Sequence, residues 1–541
     1  MQAPDASLPA PAGAAAPPAR PAGAQTARAA GGRRLSSLMA AVSHFGGQLL
    51  GILLALLVSH LIARRLGVGA EADAFFFGRR IATSLIETLS QIMGVFYIPL
   101  VAAHAARSGG GFLRATLRHA AIAAALGLGL SLLIAWGAAP MVRLLAPGFD
   151  GGAAVLAGQA LTLFGAALPA TMACIVFAAC LNVMGRFGMP SAIRQLPRAA
   201  VAAVLALAGT DIAIRGAGAF AVAWFAVAGL MLLQCLRIAR NWAGEAAPPA
   251  EAAAPPAPAA PVRPMAAGIS AVLLMVAALA STWLETGFAA QVGPGGVTRL
   301  ELTQRLGTLP GNTLVAALSL VVFTAWSRRA AAGERPSASD FWRNIFVGLA
   351  ALLPVQIYVA LHSQALVGFL LGHGRFDAAA VDSVAHSLRW MTLAPLSAFV
   401  LRMVLVRVLA DPGLPVVRLI AIGIGFDTGL KALLFQLLTP GFGVVGIVTA
   451  QAISPVATVL LMAALLRGSG LLGGPVHLGR EAGLAAAAAA AIAGFILGAL
   501  PFSGVAPSMR GDLAMLACSG LLGGVLFLIT AKVLRVSVAL H

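Results

Sequence analysis

The chain reads as an all-α polytopic membrane protein of about 14 transmembrane helices, forming two six-helix pseudo-symmetric lobes plus a C-terminal helix pair. Composition, an internal echo and the placement of arginine lead to that reading. Of 541 residues, 60% are hydrophobic and only 10% charged, and mean hydropathy is +0.93. No water-soluble fold has an interior large enough to hide that much apolar surface. The echo is a module near residues 140–200 that returns about 225 positions later: Asp150, Pro169 and Pro190 answer to Asp377, Pro395 and Pro415, at offsets of 227, 226 and 225. Arg80 in the second apolar stretch answers to Arg305 in the eighth, also 225 later. Two similar halves with buried charge at matching depth are a common transporter design.

In chain order, residues 1–35 are rich in Ala, Pro and Gly and are expected as a disordered cytoplasmic tail. The apolar run that follows is too long for a signal peptide. Runs of about 20 apolar residues cross a hydrocarbon core of about 30 Å. In the N-lobe, residues 36–242, they fall at 39–63, 81–103, 119–142, 155–184, 196–214 and 217–236. Residues 243–264, AGEAAPPAEAAAPPAPAAPVRP, form a Pro/Ala linker that cannot pack. The C-lobe, 265–468, takes 266–290, 300–325, 342–371, 384–409, 416–438 and 443–466. Residues 469–541 hold the pair 482–501 and 512–534. Even repeats enter the membrane from one side, so the expected pseudo-twofold axis runs along the membrane normal with a cavity between the lobes.

The formal charge of +18 would suggest a nucleic-acid partner in a soluble chain. Here the arginines crowd alternate loops, as at Arg28, Arg33 and Arg34, then Arg107, Arg114 and Arg118, then Arg186, Arg194 and Arg198. The positive-inside rule then puts both termini in the cytoplasm, and the charge serves topology and anionic lipid, with no nucleic acid. Cys174, Cys180, Cys235 and Cys518 lie within apolar stretches without ligand spacing and read as small core residues. No P-loop, HExxH or CxxC occurs, so no catalytic residues, metal or cofactor are expected. Prolines interrupt several helices at Pro169, Pro310-Gly311, Pro354, Pro395 and Pro455. Ordinary kinks explain them, and so do hinges between inward-open and outward-open states.

A charge near a helix centre costs roughly 2.5–3.5 kcal/mol on insertion scales, so those that persist face a cavity or a partner. Arg79, Arg80 and Glu87 lie on the second helix, and Arg80 shares a face with Glu87 seven residues on. On the eighth, Glu301 precedes Arg305 by four, the favourable order for an ion pair. Arg80 and Arg305, with Arg79 and Glu87, are the candidate lining of a cavity for phosphate or pyrophosphate, whose oxygens an arginine fork matches. Glu285 and Asp427 are candidates for ion or proton coupling. Lys431, four residues after Asp427, is either its intrahelical partner or a tethered cation in place of a bound ion.

The stretch from Ala63 to Phe76, ARRLGVGAEADAFF, followed by Pro99, resembles the first helix-to-helix connection of the MurJ/MviN lipid II flippases, within the multidrug/oligosaccharidyl-lipid/polysaccharide exporter superfamily. Ala146-Pro147-Gly148-Phe149, Gln304-Arg305-Leu306 with Pro310-Gly311, and Gly372-His373-Gly374-Arg375-Phe376 agree in order, and the likeness spans about residues 36–470. The resemblance implies a carrier of an undecaprenyl-pyrophosphate-linked sugar across the bacterial inner membrane by alternating access, with Arg305 and Arg80 matching basic positions of its cavity. The family also places arginines within the first helix and midway along the second. This chain has Ile52, Val58 and Ile86-Glu87 there, and no arginine between Leu35 and Ala63. A less cationic cavity leaves the cargo open between lipid II, the peptidoglycan precursor, and another polyprenyl-linked glycan such as an exopolysaccharide or O-antigen unit. A drug/cation antiporter would want carboxylates in the cavity. A membrane glycosyltransferase would use Glu71 and Asp73, and a non-transporting scaffold would tolerate loss of Arg80 and Arg305. The expected partners are the lipid-linked oligosaccharide and membrane lipids; the energy source and oligomeric state stay open, a monomer being sufficient.

Overall fold

The computed structural model describes residues 46–47, 49–107, 112–184, 188–242, 264–309, 322, 326, 337–409, 411, 413–469, 481–503 and 508–534. The expected tail at 1–35, residues 243–263 of the linker, and Pro310-Gly311 lie outside them. The described residues are helical throughout, without a strand. The first half comprises α1 (Leu49–Leu66), α2 (Ala70–Arg107), α3 (Phe112–Leu145), α4 (Gly151–Gly165), α5 (Leu168–Val183), α6 (Gly188–Ile193), α7 (Leu196–Leu207) and α8 (Ile212–Trp242). The second comprises α9 (Pro264–Gln291), α10 (296–309), α11 (Ala338–Leu361), α12 (Ser363–Leu371), α13 (Ala378–Met391), α14 (Leu393–Leu409), α15 (Val416–Phe442) and α16 (Val444–Leu465). Then follow α17 (Glu481–Ala499) and α18 (Met509–Val533), which pack on each other and on α11 and α12.

Among the described residues ten segments are long and apolar enough to cross a membrane. The other four expected spans correspond to α2, α7, α10 and α15. Of these, α7 is only 12 residues long. It ends at Leu207; Asp211, four residues on, adopts a left-handed φ of 51°, and α8 begins directly after it, earlier than expected, at Ile212. Large apolar side chains on the outside, such as Trp136 at 84% exposure, form the surface that faces lipid.

The echo extends to local chemistry. Asp150 caps α4 by accepting from Ala153 N at 2.6 Å, and Asp377 caps α13 by accepting from Ala380 N at 2.8 Å. Each satisfies an amide that the helix itself leaves unpaired. Downstream of each cap the span breaks, at α4/α5 and at α13/α14, where Pro169 and Pro395 stand near the start of the second piece. Proline has no N–H to continue the ladder, so the break falls there. Pro354 and Pro455 instead lie inside the unbroken helices α11 and α16. Cys174, Cys180 and Cys235 are buried as expected, whereas Cys518 is exposed on α18.

The two halves close on each other at the end of the bundle where α1 meets α2. Arg375 N donates to Arg64 O at 3.0 Å, and His60 Nδ1 lies 2.7 Å from Leu370 O. Gly67 and Gly374 both hold φ near +70°; a β-carbon on Gly374 would stand 2.4 Å from Arg64 O, and one on Gly67 2.8 Å from Arg375 O. Only glycine combines that conformation with that approach. Beside this seam Asp73 of α2 caps α10 across the halves: Gly295 N donates to Oδ2 at 2.6 Å, and Thr298 N and Oγ1 each donate to Oδ1 at 2.7 Å. Asp73 and Thr298 are 225 residues apart, the period of the echo, so α2 and α10 meet at equivalent positions.

Asp73→Asn presents an NH2 group where Gly295 N–H needs an acceptor, a loss of about 1–3 kcal/mol for the buried donor. The expected result is a lower melting temperature in detergent and faster maleimide labelling of a cysteine at Val68, measured in a background lacking Cys518.

Candidate functional site

A cavity of about 780 Å³ lies between α1, α2, α7, α8 and α10, on the bundle side of the seam. Ile52, Ala55 and Val58 of α1 form one wall with Phe220 and Trp224 of α8. Arg79, Thr83, Glu87, Ser90 and Gln91 come from α2, and Glu301, Gln304, Arg305 and Thr308 from α10. The remaining wall carries Arg194, Gln195 and Arg198 at the entry to α7. Four arginines against two glutamates leave two net positive charges in the lining.

The cationic side is organised by one carboxylate. Glu301 accepts from Arg79 through Oε1, from Arg305 Nη2 at 3.0 Å through Oε1, and from Arg80 Nη1 at 2.8 Å through Oε2. Arg305 also reaches α1, donating to Ala55 O at 2.7 Å and Ser59 Oγ at 2.8 Å. The Arg79 guanidinium sits 5.1 Å from the centre of the Phe76 ring, a cation–π contact. Three guanidiniums in a water-poor interior would repel one another and lose hydration; the shared carboxylate and the ordered acceptors around it hold them there.

Arg80 is placed differently from Arg79 and Arg305. It is only 8% exposed and is spent on fixed acceptors: Nε on Thr286 Oγ1 at 2.9 Å, Nη1 on Gln304 Oε1 at 2.6 Å and on Glu301, and Nη2 on Glu285 Oε2 at 3.4 Å. It joins α2 to α9 and α10 and is not among the residues that line the cavity. Glu285 belongs to the same group, since Gln304 Nε2 donates to its Oε2 at 3.0 Å. Glu87 lines the cavity. Asp427 and Lys431 lie elsewhere, on α15: Asp427 Oδ2 pairs with Lys431 Nζ at 2.8 Å, while Oδ1 accepts from Ser454 Oγ at 3.0 Å and Thr458 Oγ1 at 3.4 Å on α16. Asp73 is buried with its lone pairs committed to α10, which removes one of the two carboxylates that a glycosyltransferase would have used.

Arg194 and Arg198, which the loop pattern of the sequence assigns to topology, line the cavity instead. The signal available was their i,i+4 spacing around Gln195 at the very start of an apolar run, which puts both on one helical face.

The model of the family "Lipid II flippase MurJ" matches residues 62–504. The match therefore leaves out most of α1, the helix without the expected arginines. Among curated protein sequences no relative is found. Among solved structures, "Lipid II flippase MurJ, inward closed conformation" is similar with a TM-score of 0.69 and 14% identity, over 92% of this chain and 98% of that one. An inward-facing multidrug resistance MATE family transporter of the MOP superfamily gives a TM-score of 0.57 at 14% identity, over 77% and 95%. A MOP superfamily transporter from Pyrococcus furiosus, whose title describes a binding pocket of reversed polarity, gives 0.53 at 14% identity, over 81% and 96%. At such identities the structures speak for the fold, and the family match for the family.

Glu301→Gln leaves the buried Arg80 and the half-buried Arg79 and Arg305 sharing a neutral amide. The expected cost is about 3–5 kcal/mol, read as loss of monodisperse protein on detergent extraction, and Glu301→Asp should recover part of it.

Proposed function

We propose that this chain, which belongs to the lipid II flippase MurJ family, carries its cargo by exposing the arginine-lined cavity to one face of the membrane and then to the other. It is a multi-pass membrane transporter, and the lipid II function of its family is the reading that the site supports. The observation that carries the mechanism is the Arg79–Glu301–Arg305 group, in which guanidiniums from opposite halves turn toward one cavity. A diphosphate bound there would exchange water for charge-assisted hydrogen bonds, while the sugar occupies the polar space by Thr83, Ser90 and Gln91 and the prenyl chain stays in lipid. In this reading both termini are cytoplasmic, so the seam at Gly67 and Gly374 closes the periplasmic end and the cavity receives cargo from the cytoplasmic side. The lobes 36–242 and 265–468 then rock about the α2/α10 contact, with Arg80 as the tie that holds the cationic group together. Enzymatic chemistry forms no part of it.

Drive comes from the membrane potential acting on a positively charged cavity, worth about 2.3 kcal/mol per charge per 100 mV. Asp427 and Glu285 are the groups for ion or proton coupling, with the Lys431 ammonium standing against Asp427 as a tethered cation. Lys431→Met is accordingly expected to make lipid flipping in proteoliposomes depend on a sodium or proton gradient; gradient-independent flipping would exclude Asp427 from coupling.

One observation favours the second cargo, another polyprenyl-linked glycan: α1 offers Ile52 and Val58 to the cavity in place of cations. Complementation separates the two. In cells depleted of their lipid II flippase, the wild-type chain is expected to restore growth, and Arg305→Ala or Arg79→Ala to abolish that rescue at equal membrane abundance. Arg80→Ala should lose it together with protein stability. A well-expressed wild type that fails to rescue would remove lipid II and leave the other glycan.

A further inference from the structure

The first helix has no arginine before Arg64 and Arg65 at its far end, yet positive charge stands directly beside its cavity-lining part. Gly51 of α1 packs against the entry to α7: a β-carbon built on it would lie 2.7 Å from Gln195 Oε1 and 3.1 Å from Arg198 Nη1. One turn earlier, a β-carbon on Gly47 would lie 2.6 Å from Ser191 Oγ. The small residues of α1 thus admit the segment that carries Arg194 and Arg198. Gln195 is itself anchored, donating through Nε2 to Ser191 O at 3.2 Å and accepting from Arg198 Nη1 through Oε1, so the Arg198 guanidinium is held beside Gly51 of α1. A long side chain at Gly51 and a guanidinium from α7 exclude each other, and this chain has taken the second arrangement.

The two walls share one electrostatic neighbourhood. Arg198, Arg79 and Arg194 all act on Glu87, and Arg79 and Arg198 both act on Arg305. The four arginines line the same cavity.

We propose that Arg194 and Arg198 supply the anion-binding charge missing from the first helix and form, with Arg79 and Arg305, a two-walled site for a diphosphate. A diphosphate presents oxygens from two phosphorus centres, and one pair of planar forks on each side meets both. The assignment of a lipid-linked diphosphate as the natural occupant rests on the flippase reading above.

The test is binding by the full-length protein in detergent micelles, followed by native mass spectrometry with undecaprenyl diphosphate and, separately, inorganic pyrophosphate. Replacing both residues, Arg194→Gln with Arg198→Gln, is expected to weaken undecaprenyl diphosphate binding about tenfold or more. Arg194→Lys with Arg198→Lys should give an intermediate loss, because an ammonium keeps the charge without the fork. Adding Ile52→Arg, on the α1 wall of the cavity, to the glutamine pair is expected to restore binding, which a purely structural role for Arg194 and Arg198 would not allow. Wild-type affinity in both the glutamine and the lysine pair, with the wild type binding normally, overturns this inference and leaves the flippase reading in place. Equal affinity of the wild type for both probes, lost in the glutamine pair, keeps the two-walled site and removes the lipid carrier. A wild type that binds neither probe overturns both.

Discussion

The structure depends on a single carboxylate. Glu301 neutralises part of the charge of three arginines that come from two helices, and through Arg305 it also fixes those helices against the backbone of α1. A buried ion pair adds little net stability over apolar packing, because each charge first loses its hydration. Its contribution here is specification. Arginine in an interior of low dielectric tolerates few positions, so the group fixes how closely α1, α2, α9 and α10 approach and how much room they leave between them. The cavity is what remains once those distances are set.

The same carboxylate explains how two equivalent arginines come to do different work. Arg80 and Arg305 stand 225 residues apart, and by symmetry both would face the cavity. The position in the first half that matches Glu301 is Phe76, again 225 residues earlier. A ring there cannot accept hydrogen bonds in the plane of a guanidinium; it offers only its face, and Arg79 uses that. Arg80 is taken up behind the cavity wall by Glu301, Gln304, Thr286 and Glu285, while Arg305 remains at the cavity wall. The repeat sets the architecture, and the broken repeat sets which arginine reaches the cavity.

Much of this was legible in the sequence, and what was not has physical causes. Span lengths and the echo are local or periodic features, and the chain states them openly at Asp150, Asp377, Pro169 and Pro395. Pro354 and Pro455 look no different from those prolines, but inside a packed bundle neighbouring helices support a helix across the missing hydrogen bond. Arg194 and Arg198 looked like topological charge because nothing in the chain announces that Gly47 and Gly51, almost 150 residues earlier, clear a place for them. Whether an arginine faces a cavity or a carboxylate is decided by the partner helix, and pairings of that range are not written in any one segment.

The seam at Gly67 and Gly374 is made largely of main-chain groups, and this bears on the balance of conformers. The backbone hydrogen bond that crosses it, from Arg375 N to Arg64 O, is worth about 1 kcal/mol net, since its partners regain water on separation. Together with the buried Asp73 cap on Gly295 and Thr298, it sets how firmly this closure competes with alternative states of the bundle. A ligand changes such an equilibrium only by its difference in affinity for the two states. A multiply charged anion that draws arginines of both halves together has that difference built in, so the occupant of the cavity can itself tip the population from one conformer to the other.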